Sequence, residues 1–346
     1  MSSVPDSGLS AAGATPAGTT AERLARSRTR ERGTTTALPE WATRPERSNV
    51  VALGFMALVA LYIGRAPARW LLPPICVYYM LFAPKVRAAS REFLTVAMGR
   101  KPTTRDYYKH IHTFACTILD RVFFLNDQIE RFEVTVYGQE LMDQVLASGE
   151  GCFLLGSHLG SFEVLRTQAR ATKNLDVSLV MYERNARKVN AVLNAINPNL
   201  AMDVIGLGNS NSMLRVQEAL SQGHFVGMLG DRNFVGEGVV PCKFFGRTTH
   251  CPVGPFRMSV MLKRPLVLMA GLYRGGNKYD LHFELLPNPA DVPRAERGQA
   301  IEAALQAYVD RLEHYCRAAP YNWFNFYDFW NQGSEKGTEE NNARDP

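Results

Sequence analysis

The longest apolar stretches of the chain lie near its beginning. Residues 48–64 carry no charge, and after Arg65 and Arg69 a second uncharged run covers residues 70–84, with two adjacent prolines inside it. The 17 residues of the first run would span roughly 25 Å as a helix, at the short limit for a hydrocarbon core of about 30 Å. The two runs therefore predict a membrane anchor over residues 48–84, as a shallow hairpin or as one tilted segment. A pair of buried core helices is the alternative that the pattern leaves open.

Beyond residue 131 the chain alternates between strand-like and helix-like apolar segments. Strands are predicted at residues 132–137, 151–157, 177–182, 202–206, 224–230, 265–273 and 278–285. Helices are predicted at residues 138–146, 161–172, 185–196, 212–222, 254–262 and 294–317. Continuous apolar strands such as CFLLG and FVGMLG are typical of a sheet covered on both faces. The pattern predicts an α/β fold with a mostly parallel central sheet flanked by helices.

These patterns divide the chain into five parts. They are a disordered tail at 1–47, rich in Ser, Thr, Ala, Gly, Pro and Arg, the anchor at 48–84, a basic helical segment at 85–131, the α/β domain at 132–332 and a loose C-terminal tail at 333–346. The basic segment includes a long predicted helix at residues 104–125. We expect this segment to pack on the α/β domain.

The charge of the chain favours an anionic partner. Lys and Arg number 39 against 33 Asp and Glu, a net charge of +6. Residues 85–131 hold nine basic and five acidic residues, and they follow the predicted anchor directly. This placement predicts contact with the anionic inner leaflet of a membrane and with an acidic carrier, on the cytoplasmic side. No nucleic-acid partner is expected, because the basic residues are not interleaved with exposed aromatic ones. The six cysteines form no CxxC pair, as is usual in a reducing compartment.

The clearest candidate for catalysis is the motif G-S-H-L-G-S-F-E at residues 156–163, which follows the strand CFLLG. A histidine beyond the carboxyl end of a strand is well placed to act as a general base, and a carboxylate can hold its second ring nitrogen. We therefore predict His158 as the base and Glu163 as its partner, with His158 in a loop and Glu163 in the first helical turn. Backbone amides near the start of the helix at Ser161 are expected to stabilise an oxyanion. A purely structural histidine is the alternative.

Several other catalytic patterns are missing from the sequence. There is no G-x-S-x-G elbow, although Ser157 remains a possible nucleophile, and there is no P-loop or complete dinucleotide fingerprint. The histidine and cysteine pairs have no partner pair at metal-ligand spacing; they are His110 with His112, and His250 with Cys251. We therefore predict no metal and no cofactor. A base without a protein nucleophile suits direct attack by a substrate hydroxyl or amine on an activated acyl group.

A second polar cluster follows the strand at residues 224–230. Its sequence is G-D-R-N, and F-F-G-R follows at residues 244–247. Polar side chains at the carboxyl end of a strand are well placed to meet a polar or anionic substrate group. The predicted substrate-binding residues are Asp231, Arg232, Asn233, Phe245, Gly246 and Arg247, with the aromatic ones lining an apolar tunnel. A surface turn with a salt bridge and ordinary loop packing are the alternatives.

The order of these blocks resembles that of the late lipid A acyltransferases, which include the lauroyl and myristoyl transferases of Gram-negative inner membranes and carry an HX4D/E motif. The blocks are G-S-H-L-G-S-F-E, V-M-Y-E-R, G-D-R-N and F-F-G-R-(x)4-P-x-G-P-F, and the likeness covers roughly residues 50–327. The resemblance implies a glycerolipid-acyltransferase-like fold, a cytoplasm-facing site at the bacterial inner membrane, and an acyl carrier protein or coenzyme A thioester as donor. It matches His158 to the family's base, Glu163 to its acid, and Arg184 and Asp231 to further site residues.

One block departs from the family pattern. The basic block that commonly ends these enzymes is replaced here by Y-N-W-F-N-F-Y-D-F-W at residues 321–330. This departure favours a lipid acceptor other than phosphorylated lipid A, and the aromatic segment suits the membrane interface, an acceptor pocket or core packing. We predict a membrane-associated acyltransferase that moves a fatty acyl group to a hydroxyl, or an amine, of a lipid. A membrane-bound thioesterase or esterase and a non-catalytic lipid-binding assembly protein remain alternatives.

Overall fold

The computed structural model describes residues 50–173, 175, 177–182, 197, 203–208, 211–233 and 238–330. The predicted tails at 1–47 and 333–346, the predicted helix at 185–196 and Arg184 lie outside the described residues.

A central sheet organises the described part of the chain. Its strands are β1 (Glu133–Tyr137), β2 (Phe153–Gly156), β3 (Val177–Tyr182), β4 (Val204–Leu207), β5 (Phe225–Leu229), β8 (Leu266–Gly275) and β9 (Lys278–Leu285). They lie in the order β1-β9-β8-β2-β5-β3-β4. The strands from β8 to β4 are parallel, whereas β9 runs antiparallel to β8, and β1 pairs in parallel with β9. The predicted α/β class with a mostly parallel sheet is confirmed.

Helices surround this sheet. They are α1 (Val50–Ile63), α2 (Arg65–Trp70), α3 (Leu72–Phe82), α4 (Pro84–Met98), α5 (Thr104–Phe124), α6 (Gln139–Ala147), α7 (Glu163–Lys173), α8 (Ser212–Ser221), α9 (Gly254–Leu262) and α10 (Arg297–Ala318). Thr103 and Asp106 form a reciprocal capping box at the start of α5, which explains why the long basic helix begins there.

Alternate residues of the central strands enter two separate hydrophobic clusters. Phe153 and Leu155 of β2 pack in one cluster, with α8, α9 and α10, whereas Leu154 packs in the other, with α5 and α7. Successive side chains of a strand point to opposite faces of a sheet. The sheet is therefore covered on both faces, and the apolar strands of the sequence follow from this burial.

The structure contains a β-hairpin between β5 and α9 that was not predicted from the sequence. It consists of β6 (Val239–Phe244) and β7 (Arg247–Pro252), which form a separate two-stranded sheet. Phe245 and Gly246 form its two-residue turn, and both have positive φ, at 53° and 73°. A two-residue turn of this type requires left-handed backbone at both positions, where glycine is favoured and phenylalanine is not. Because Phe245 occupies the first position, the sequence did not predict this turn.

The apolar segment around α1, α2 and α3 has one packed side and one exposed side. Ala57, Ala60 and Leu72 are buried in the cluster that also contains α5 residues. Tyr62 and Trp70 are 82% and 77% exposed. No helix within the described residues is both long enough and apolar enough to cross a membrane. The segment therefore has one face that packs on the rest of the described protein and another that is exposed.

Candidate active site

The register of two neighbouring strands brings His158 and Asp231 together. Strand β2 pairs in parallel with β5, and Gly156 lies opposite Leu229. His158 follows Gly156 by two residues, and Asp231 follows Leu229 by two residues. Both side chains therefore emerge side by side beyond the carboxyl ends of adjacent central strands, where ligands of open α/β sheets bind.

The two side chains form a close hydrogen-bonded pair. His158 Nδ1 lies 2.8 Å from Asp231 Oδ1, and the backbone N–H of His158 donates to Asp231 Oδ2 at 2.9 Å. The side chain of Asp231 is fully buried, whereas that of His158 retains 27% of its exposure. A carboxylate on Nδ1 holds the proton there and leaves Nε2 as the basic nitrogen. The pair has the arrangement of a general base and the acid that orients it.

The electrostatic environment keeps this pair in the form that a base needs. Burial lowers the pKa of His158, and the nearby Arg232 lowers it further, while Asp231 opposes both effects. Burial acts to raise the pKa of Asp231, but the charge and hydrogen bonds of His158 and the charge of Arg232 outweigh it, and the pKa lies well below its ordinary value. At neutral pH the imidazole is therefore uncharged and the carboxylate is ionised.

Two residues of the C-terminal aromatic segment, residues 321–330, complete the hydrogen bonding of Asp231. Trp323 Nε1 donates to Asp231 Oδ2 at 3.1 Å, and Asn325 Nδ2 donates to the same oxygen at 2.8 Å. Neither residue was predicted from the sequence as a site residue, and the departure of this segment from the family pattern was the signal that singled it out. The segment therefore contributes directly to the candidate site.

Glu163 does not lie where the sequence predicted. Its carboxylate pairs with Arg121 of α5, with Oε1 lying 2.7 Å from Arg121 Nε, and it accepts a hydrogen bond from the Ser161 hydroxyl at 3.1 Å. As predicted, His158 lies in the loop and Glu163 begins helix α7. The predicted pairing of Glu163 with the His158 ring is nevertheless wrong, because the carboxylate on that ring belongs to Asp231. The start of α7 points Glu163 towards α5 instead.

Two of the backbone amides near the start of this helix are engaged elsewhere. The N–H of Gly160 donates to Asn322 O, and that of Ser161 donates to Gly271 O, both at 2.8 Å. Gly160 has a φ of +70°, and a Cβ added to it would lie 1.9 Å from Gly271 O, so only glycine fits this close approach. The Ser161 amide fixes the loop against strand β8 and the Gly160 amide fixes it against residue 322, so neither is available to a substrate oxygen.

The other predicted substrate-binding residues fall into two groups. Arg232 lies beside Asp231, with its Nε 2.7 Å from Asn325 Oδ1, and Asn233 Nδ2 donates to the carbonyl of His250 at 2.6 Å. The hairpin turn, by contrast, contacts helices α4 and α10. There Arg247 pairs with Glu92, and the backbone N–H of Phe245 donates to Glu313. A role in substrate binding for Asn233, Phe245, Gly246 and Arg247 stays a prediction, as does that of Arg184.

His110 is a structural histidine. It is fully buried, with Nδ1 2.8 Å from the Ser90 hydroxyl and Nε2 2.8 Å from the carbonyl oxygen of Trp323. Burial lowers its pKa to about 4, so the ring is neutral at physiological pH. Within the described ranges no group of three or more His, Cys, Asp or Glu side chains is arranged to hold a metal ion.

The structure thus combines a mostly parallel α/β sheet with a histidine–aspartate pair beyond its central strands, an arrangement that is suited to general-base chemistry. The chain matches the family model for bacterial lipid A biosynthesis acyltransferases over residues 53–332, and it belongs to that family. It is therefore an acyltransferase that acts on a lipid, and the resemblance of the four sequence blocks is confirmed. The comparison with curated proteins found no match.

Proposed function

We propose that the protein is a membrane-associated O-acyltransferase of the cytoplasmic side of a bacterial inner membrane. It moves a fatty acyl group from an acyl carrier protein or coenzyme A thioester to a hydroxyl, or less readily an amine, of a lipid acceptor. The observation that carries this proposal is the His158–Asp231 pair, in a chain that belongs to an acyltransferase family. His158 is the base, and Asp231 is the acid that orients it.

The proposed reaction needs only this pair and the two substrates. His158 Nε2 takes the proton of the acceptor hydroxyl while the oxygen attacks the thioester carbonyl. Asp231 stabilises the imidazolium that forms. Collapse of the tetrahedral intermediate breaks the carbon–sulfur bond, and the imidazolium returns its proton to the departing thiolate. The acyl ester and the free thiol are released, and the enzyme regains its starting protonation.

Glu163 retains a role through Arg121 in this proposal. The Arg121 guanidinium acts on His158, since its charge contributes to lowering the His158 pKa. Glu163 holds that guanidinium by an ion pair of 2.7 Å. Arg121 is then oriented to meet negative charge that develops on the thioester oxygen, in place of the engaged backbone amides.

The exposed face of α1–α3 supports membrane association. Side chains on this face include Ile63, Trp70, Leu81 and Phe82, which are between 59% and 77% exposed. Several large, exposed apolar side chains on one segment are typical of a contact surface on a folded domain. Helix α3 packs against α5, and exposed basic residues lie just before α5 and in its first turns, namely Lys101, Arg105 and Lys109. Interfacial insertion of the apolar face, supported by attraction to anionic lipids, fits this combination.

Acyl transfer by the purified protein tests the proposed reaction. The assay follows release of the free thiol from acyl-carrier protein and acyl coenzyme A, with a lysophospholipid or an extract of bacterial lipids as acceptor. We expect His158→Ala to abolish transfer, while the matched control His314→Ala, an exposed histidine of α10, retains it. Full activity of His158→Ala refutes the proposal. Thiol release that does not depend on an acceptor and yields free fatty acid identifies a thioesterase instead.

Vesicle flotation tests the membrane contact. We expect the wild-type protein to float with vesicles containing phosphatidylglycerol, and the double variant Trp70→Ser/Leu81→Ser to float less. The matched control is Leu214→Ser/Met261→Ser, which removes two equally exposed apolar side chains from α8 and α9. An equal loss in both variants would assign the binding to general hydrophobicity and reject this face as the contact.

A further inference from the structure

The C-terminal aromatic segment lies directly along the loop that carries His158. Leu159 and Trp323 form an antiparallel β-bridge, and the backbone N–H of Phe324 donates to His158 O at 2.7 Å. Asn322 anchors the segment to strand β8, because its side chain accepts from Tyr273 N and donates to Tyr273 O. Backbone contacts on both sides of Trp323 thus place the following side chains against the His158–Asp231 pair.

Two side chains of this segment saturate one oxygen of Asp231. Oδ1 faces the His158 ring, and Oδ2 accepts from three donors, namely the His158 backbone, Trp323 Nε1 and Asn325 Nδ2. Both side-chain donors come from the same three-residue stretch and are buried. Their bonds fix the rotation of the carboxylate, so that Oδ1 points at Nδ1 of the ring.

Asn325 makes a second contact that separates two opposite charges. Its Oδ1 accepts from Arg232 Nε at 2.7 Å while its Nδ2 donates to Asp231. The Arg232 guanidinium is further held by the ring of Tyr327, 5.5 Å from its centroid. Asp231 and Arg232 are adjacent in sequence, and a guanidinium binds a carboxylate more strongly than an amide does. The Asn325 amide therefore lies between the Asp231 carboxylate and Arg232, the group that would compete with His158 for that carboxylate.

We propose that Trp323 and Asn325 are positioning residues, which hold Asp231 against His158 and prevent Arg232 from pairing with Asp231. This role deepens the proposed function and rests on His158 being the base. Without the Asn325 amide, Arg232 turns to Asp231, and the carboxylate no longer serves His158. Without the Trp323 donor, Asp231 keeps its place but loses one hydrogen bond.

The two losses act on the His158 ring in opposite directions. Pairing of Asp231 with Arg232 removes the group that favours the imidazolium, so the His158 pKa falls further. Loss of the Trp323 donor leaves more negative charge on Asp231, so the His158 pKa rises. The other titratable or charged groups near the pair are Arg121 with Glu163, and Cys251, Tyr308 and Cys316 around Asp231. These groups keep their positions in both variants.

Steady-state kinetics over a range of pH test this role, with Asn325→Leu and Trp323→Phe as the variants. We expect Asn325→Leu to lower kcat on the order of tenfold to a hundredfold, as loss of a charge-assisted hydrogen bond does, with a smaller change in KM. The acid limb of the kcat/KM profile should move to lower pH in Asn325→Leu and to higher pH in Trp323→Phe. Trp330→Phe is the matched control, because the buried indole nitrogen of Trp330 has no hydrogen-bond partner among the described residues, and the acid limb of this variant should not move.

A suppressor variant tests the separation of charges directly. In the background of Asn325→Leu, the further change Arg232→Met removes the competitor, so kcat should recover at saturating substrate. A merely structural role for Asn325 predicts no recovery. Wild-type kcat and an unmoved acid limb in Asn325→Leu, or no recovery in the double variant, would overturn the role of Asn325.

Two further measurements keep the outcome unambiguous. If Asn325→Leu does not fold, Trp323→Phe alone decides, and an unmoved acid limb in that variant rejects the positioning role. His158→Ala is assayed alongside the others. An active His158→Ala rejects the proposed function, whereas an inactive His158→Ala beside an unaffected Asn325→Leu and Trp323→Phe rejects only the positioning role.

Discussion

Replacement of Asp231 by Asn tests the assignment of the acid most directly. Asparagine has nearly the shape of aspartate, so the buried site keeps its packing. One carboxylate oxygen becomes an NH2 group, and the structure decides which one. Three donors converge on Oδ2, at distances between 2.8 and 3.1 Å, whereas the His158 ring is the only partner of Oδ1 within the described part of the chain. The amide oxygen therefore takes the Oδ2 position, and its NH2 group faces Nδ1 of the ring.

This orientation inverts the hydrogen bond to His158. The new amide donates to Nδ1, so the ring proton is held on Nε2, and Nε2 can no longer accept a proton from the acceptor hydroxyl. The same change in serine protease triads lowers kcat about ten-thousandfold. We expect a loss in kcat of about 10³ to 10⁴ here, equivalent to roughly 4 to 5 kcal/mol of transition-state stabilisation.

The assay is steady-state acyl transfer at saturating donor and acceptor, with thermal unfolding measured in parallel to show that Asp231→Asn is folded. Glu163→Gln is the comparison, because Glu163 contacts Arg121 and Ser161. A variant Asp231→Asn that retains more than a tenth of the wild-type kcat refutes the reasoning. Such a result would mean that a group other than Asp231 orients His158.

Three other changes test different parts of the structure. Glu163→Gln and Arg121→Met should each lower kcat. The double variant should lose no more activity than the more damaging single variant, because the two side chains act as one ion pair. Additive losses in this double-mutant cycle would contradict a joint role. Arg65→Met removes both guanidinium hydrogen bonds, at 2.7 and 2.8 Å, from the fully buried Asp120. Chemical denaturation should show a free energy of unfolding that is lower by about 3 kcal/mol, and a change below about 1 kcal/mol would speak against a stabilising pair. His110 has a folded pKa of about 4 against about 6.5 unfolded, so the unfolded state takes up the proton first as pH falls. Stability should therefore decline between about pH 6.5 and pH 4, by about 3 kcal/mol in total, and His110→Gln should lack this component; equal slopes for both proteins exclude the histidine as its cause.

The elements of the fold were largely predictable because they depend on local pattern. The predicted strands at 177–182 and 278–285 match β3 and β9, and the helix predicted at 254–262 matches α9. These segments have apolar periodicities that only one type of secondary structure can bury. The hairpin of β6 and β7 escaped prediction, because its strands are partly exposed and its turn carries Phe245 at a left-handed position.

The sequence by itself determined which residue is the candidate base and that Asp231 lies at the end of a strand, because strand ends and polar motifs are local features. It did not determine which carboxylate meets His158. The spacing of Glu163 from His158 suggested a local pair, yet helix α7 begins at Glu163 and turns this side chain towards α5. Asp231 reaches the ring only because β5 pairs with β2, and a strand order is set by packing over the whole sheet. The same holds for Trp323 and Asn325. They are more than 90 residues away from Asp231 in sequence, and only the tertiary structure brings them into contact with it.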